Sequence, residues 1–125
     1  MFGPHKAIII ATPQHRRQSL AALLCSMPEI GEVYETDSPN HLESQYYFHP
    51  SLILIDGWLE ERMTPEQIEP LQRIFPHAHI LALVKQNEFA ATTPLVDATL
   101  VEGFSVENFF QTVRGLINSL SLSFK

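Results

Sequence analysis

Ser51-Leu52-Ile53-Leu54-Ile55-Asp56-Gly57 is the stretch on which the fold turns. Its four aliphatic residues run without interruption. A strand with one wet face would alternate apolar and polar residues. A short unbroken aliphatic run reads instead as a strand covered on both faces, the habit of parallel sheets. Gly57 breaks the pattern directly after the acid. In open α/β sheets, chemistry gathers beyond the carboxyl ends of the strands. Asp56, the charged residue at such an end, is therefore the first candidate for a functional group.

Working outward, the same kind of run recurs. Ala7-Ile8-Ile9-Ile10 precedes it, and His79-Ile80-Leu81-Ala82-Leu83-Val84 and Ala98-Thr99-Leu100-Val101 follow. Glu32-Val33-Tyr34-Glu35-Thr36 alternates and predicts a further strand. Helical signals separate them. Thr12-Pro13 supplies a cap and a first-turn proline. Leu20, Leu23, Leu24 and Met27 then recur at helical spacing until Pro28. A short helix is expected from about Asn40 to Phe48, ended by Pro50. Thr64-Pro65-Glu66-Gln67 has the capping-box form and opens a helix with Ile68, Leu71, Ile74 and Phe75. A weak helix broken near Pro94 is expected between Asn87 and Asp97. Ser105 caps a last helix that carries Val106, Phe109, Phe110, Val113, Leu116, Ile117 and Leu120. Five β-α repeats of this kind predict a five-stranded parallel sheet with helices on both faces, a three-layer α/β/α sandwich. The whole chain, 1–125, reads as one domain, with its core over about 6–120 and a tail at 121–125 expected to fray.

Composition narrows the function. With Asp+Glu 14 against Lys+Arg 8, the net charge is -6. Nucleic-acid binding needs clustered cations to offset phosphate, and Arg16–Arg17 is the one adjacent basic pair here. The 45% apolar and 18% charged content is ordinary for a globular domain. Cys25 alone allows no intramolecular disulfide and no thiolate cage. No apolar run reaches the ~20 residues of a membrane span, and none has the form of a signal peptide. The expectation is a cytoplasmic protein that touches neither nucleic acid nor membrane.

The segment Ser51 to Asp56, in its place as third strand, resembles the phospho-acceptor strand of response-regulator receiver domains. Arg17 and Leu20 stand where that family's first helix often has Arg and Leu. Leu100-Val101-Glu102-Gly103-Phe104 stands where it usually shows Leu, any residue, Lys, Pro, Phe. The resemblance spans Lys6 to about Leu120 and implies the flavodoxin-like doubly wound topology. It also implies signal transduction of the two-component type, with Asp56 as the candidate phospho-acceptor.

The departures fall on the same site. Where the family has an acidic pair that holds magnesium, this chain has Ala11 and Thr12. Where the family has Thr or Ser after the fourth strand, it has Val84. Where the family has Lys-Pro after the fifth, it has Glu102-Gly103. Phosphoryl transfer is driven by positioning and charge neutralisation, so these positions form a degenerate site in which magnesium would bind only weakly. Lys85 could supply a replacement cation, but neighbouring strand residues face opposite ways. Asp56 is accordingly expected to cap a loop or pair with Lys85.

Other residues carry weaker signals. His77 and His79 could pair on a metal, but no third ligand is visible, and His5, His15, His41 and His49 show no ligand spacing. No metal or resident cofactor is expected. Cys25 lies deep in a predicted helix and is expected in the packing. Trp58, just past Asp56, could cover the site or touch a partner. On the last helix, Phe110 and Ile117 widen the apolar stripe. They are either core or a partly exposed surface for a homodimer.

The expected function is an atypical receiver-like regulatory module, not an enzyme, that contacts a signalling partner or its own output domain. An authentic phosphorelay receiver, phosphorylated on Asp56, is the alternative. A small-ligand- or flavin-binding α/β protein is the second, without G-x-G-x-x-G, P-loop or Gly-x-Ser-x-Gly motifs to support it.

Overall fold

The computed structural model describes residues 4–11, 14–37, 49–56, 65–84 and 96–122. The helix expected over 40–48, residues 87–95 of the helix expected over 87–97, the cap at Thr64 and the Thr12-Pro13 pair lie outside them, and residues 96–97 form a bend. Among the described residues the elements are β1 (His5–Ala11), α1 (Gln14–Cys25), β2 (Ile30–Thr36), β3 (Leu52–Asp56), α2 (Pro65–Ile74), β4 (His79–Val84), β5 (Ala98–Val101) and α3 (Val106–Leu122).

The strands form one five-stranded sheet in the order β2-β1-β3-β4-β5. Every pair is parallel. The burial follows from the run lengths read in the sequence. All of β3 is buried, as are β1 from Ala7 onward and β4 from Ile80 onward, because each has neighbours on both sides and helices on both faces. The edge strand β5 is only half-buried along its length.

Strand parity sorts the core into two clusters. On one face Ala7, Ile9, Ala11, Leu52, Leu54, Leu81 and Leu83 meet Leu20, Ala21 and Leu24 of α1 and Phe109 and Val113 of α3. On the other, Ile8, Ile10, Ile53, Ile55, Ile80, Ala82 and Val84 meet Ile68, Leu71 and Phe75, on or just beyond α2. Phe109 is fully buried and stacks on Phe104, with ring centroids 5.8 Å apart.

The helix ends obey their local chemistry. The backbone N–H of Asn108 donates to Ser105 Oγ at 3.0 Å, the expected cap of α3. After α1, Met27 N–H donates to Leu24 O at 3.0 Å and tightens the final turn before Pro28. Gly103 sits at φ +96°, on the turn after β5. A proline, held near φ ~-65°, could not take that place.

Two expectations change. Cys25 is exposed, not packed. It follows Leu24 by one helical step, so it turns ~100° away from the buried stripe. Ile117 is fully buried, and Phe110 is half-buried against the same cluster, with the Arg114 guanidinium 5.7 Å from its ring centroid. Phe109, Val113 and Ile117 form the core stripe of α3, and among the residues whose side chains are described the exposed large hydrophobe of that helix is Val106.

Candidate functional site at the carboxyl end of the sheet

Asp56 ends β3 in register with Ala11 of β1 and Leu83 of β4. All three belong to the face covered by α1 and α3. The Asp56 side chain is only 5% exposed. A carboxylate this deep between aliphatic neighbours must be paired or neutralised. It is paired: Arg16 Nε, in the first turn of α1, donates to Asp56 Oδ2. Strand β1 delivers the chain to the sheet's carboxyl edge, and α1 starts directly after it, so its first turn lies beside that edge.

The electrostatics are mixed. Burial pushes the Asp56 carboxyl above its ordinary value, the Arg16 guanidinium pulls it back, and the negative charge of Glu102 raises it further. The buried site thus holds one acid against one base, with a second acid within electrostatic reach.

The next arginine does structural work. Arg17 Nη1 donates to the carbonyl of Ala11 at 3.1 Å, and its Nε lies 3.6 Å from Glu35 of β2. It ties the start of α1 to the ends of β1 and β2.

The remaining sequence candidates separate. Ala11 is buried beside Asp56 and offers only a methyl group. Val84 belongs to the opposite, α2 face, so its side chain is not a neighbour of the carboxylate. Glu102 is exposed just beyond β5, its N–H bonded to Val84 O at 2.8 Å. Thr12, Gly57, Trp58 and Lys85 lie outside the described residues. The described partner of Asp56 is therefore Arg16, where the sequence reading had looked to Lys85.

These residues do not fit a magnesium ion. Magnesium asks for several oxygen ligands in near-octahedral order. The described residues offer Asp56, whose Oδ2 already accepts from a guanidinium, beside the hydrocarbon of Ala11 and Leu83.

The amino edge of the sheet holds His5 and His79. His5 Nδ1 lies 2.9 Å from Ser51 Oγ. His79 Nδ1 is 3.7 Å from Asp97, whose other oxygen accepts from the N–H of Ile80 at 2.7 Å. Arg114 Nε donates to Glu29 at 2.6 Å. His77 is exposed. Among the described residues no three His, Cys, Asp or Glu groups are placed to share a metal, and no helix is long and apolar enough to cross a membrane.

With the order β2-β1-β3-β4-β5 and an acid closing β3, the chain has the fold of response-regulator receiver domains. Solved structures agree. A response regulator receiver domain protein from Clostridium thermocellum superposes with a TM-score of 0.75 at 14% identity, over 94% of this chain and 98% of that one. The signal receiver domain of an HD domain-containing protein from Pseudomonas fluorescens gives 0.78 at 11% identity, over 95% and 90%. A DNA-binding response regulator of the LuxR family from Staphylococcus aureus gives 0.73 at 14% identity, over 90% and 98%. No family profile matches the sequence, and no curated protein matches it significantly.

Proposed function

We propose that this chain is a receiver-like regulatory module that works through protein–protein contact, with little or no phosphorylation at Asp56. The observation that supports this reading is the Arg16–Asp56 pair. A phospho-acceptor must present a free carboxylate oxygen to the donor, beside a metal that neutralises the transferred group. Here the carboxylate is buried and bonded to a guanidinium, Ala11 replaces an acid, and Glu102 adds negative charge beyond β5. Losing one well-placed electrostatic group typically slows a reaction ~10²–10³-fold, and grouped losses need not multiply.

The receiver fold of the solved relatives supports the placement in two-component-type signalling, with a partner protein or an attached output domain reading the surface. Any change of state in such a module requires a ligand or partner that prefers one conformation.

The test is intact mass after incubation with magnesium and a small-molecule phosphodonor, with Asp56→Asn in parallel. No added phosphoryl group is expected in either protein. One group gained by the wild type and missing from the variant would make the chain a phosphorelay receiver instead.

A further inference from the structure

We propose that Arg16 is a built-in counter-cation that occupies the Asp56 carboxylate in place of a divalent metal ion. This rests on the reading of the chain as a receiver-like module that does not depend on phosphate. It adds a cause: metal is kept away by a residue of the chain itself, and not only by the lack of ligands.

The geometry carries the idea. Asp56 is almost wholly buried, and its described polar partner comes from the first turn of α1. Arg16 is about one-third exposed (35%), so among the described residues the acid is bridged to the surface by this side chain. Arg17 anchors the same turn through Ala11 O and Glu35, which holds Arg16 in place. A second acid, Glu102, lies close enough to act on Asp56. Asp56 closes β3 and Glu102 follows β5, with β4 between them, so the buried carboxylate also feels a second negative charge and is satisfied by a proton, a metal or a fixed cation. A guanidinium stays protonated at every relevant pH, and its planar donors match a carboxylate, so it fills this place permanently.

It follows that removing the cation frees the carboxylate. The full-length chain, its Arg16→Gln variant and the Arg16→Gln/Asp56→Asn double variant are titrated with Mn²⁺. Paramagnetic broadening of the backbone amide signals of Ala11, Asp56 and Glu102 is the readout. The wild type is expected to show no localised broadening at millimolar Mn²⁺. Arg16→Gln should bind at least about tenfold tighter, and the double variant should lose that gain. If Arg16→Gln does not fold, Arg16→Met, which keeps an aliphatic stem over the strand end, takes its place in the same titration.

A folded variant that binds Mn²⁺ no better than the wild type overturns the proposal. So does wild-type broadening at those three amides. Neither result bears on the phosphodonor experiment. Phosphoryl incorporation in the wild type would sink the functional reading, whereas a silent metal titration with no incorporation would sink only the role given to Arg16.

Discussion

The two ends of the sheet hold similar charged contacts in unlike surroundings. At the carboxyl end, Arg16 meets an Asp56 side chain that is 5% exposed. At the amino end, Arg114 meets Glu29 with both partners part-exposed, at 41% and 32%. Geometry makes each an ion pair, but solvent decides what each is worth. In the more exposed pair water reaches part of either charge when the other is missing, although Glu29 Oε1 is itself buried. In the dry pair the acid has almost no water to fall back on, so breaking the contact leaves a stranded charge. The titration behaviour shows the same contrast. Hydrogen bonding to Arg114 holds the Glu29 carboxyl below its ordinary value, whereas burial holds Asp56 above its own despite Arg16.

The sharpest way to break this comparison is Arg16→Ala. Because Arg16 is partly exposed, the loss should be nearer ~2 kcal/mol than the ~3–5 kcal/mol of a fully buried pair. Urea unfolding measures it. Adding Asp56→Asn to that variant should recover most of the loss, since the stranded charge goes with it. A double variant as unstable as the single one would show that Arg16 acts through packing instead.

Asp97→Ala comes next, at about 1 kcal/mol. It removes the acceptor of the Ile80 N–H at the start of β4, where Ile80 itself is buried. Loss of amide-exchange protection at Ile80, without change around Asp56, would locate the effect at the amino end.

Arg114→Ala should be the smallest, at ~0.2–1 kcal/mol and shrinking with added salt. Its signature is in acid. Glu29, with its folded value lowered, contributes stability that is present above its unfolded value and fades as pH falls through the folded one. Asp56 has the opposite sign: with its folded value raised, its contribution is complete below the unfolded value and is lost as pH rises through the folded one. In Arg114→Ala the rise of stability with pH below about pH 5 should therefore be lost, and the opposite, Asp56-dependent fall should remain. If both slopes vanished together, the two ends would not be independent.

Much of the fold was legible because burial on both faces imposes a plain rule on a strand. Leu52 to Ile55, Ala7 to Ile10 and Ile80 to Val84 each announce themselves as unbroken aliphatic runs. Prolines and caps marked the helix limits at Pro28 and Ser105. The site was legible only in part. Asp56 stands out because it ends such a run. Arg16 does not, because its bond to Asp56 joins residues 40 positions apart and depends on how far around α1 its side chain points. One clue was available: Arg16 is three residues after Pro13 in the sequence, on a helix that must start at the same edge where β3 ends. Parity was available too. Leu83, not Val84, shares the face of Asp56, and counting by twos from Leu81 would have shown it. Ile117 was ambiguous because a wide apolar stripe can be broad core or part surface. It became core once both α1 and α3 covered the same face of the sheet.

The position of β1 has a consequence for how this chain comes to be folded. Its neighbours are β2 on one side and β3 on the other, with Ala7 set against both Val33 and Leu52. During synthesis the first α/β unit can pair β1 with β2 as soon as both are made, but one edge of β1 stays unpaired until Leu52 to Asp56 has been translated. Until then Ile8, Ile9 and Ile10 present an aliphatic template to any extended chain nearby. The hazard is confined to a window of elongation, and it closes when the strand that ends in Asp56 arrives.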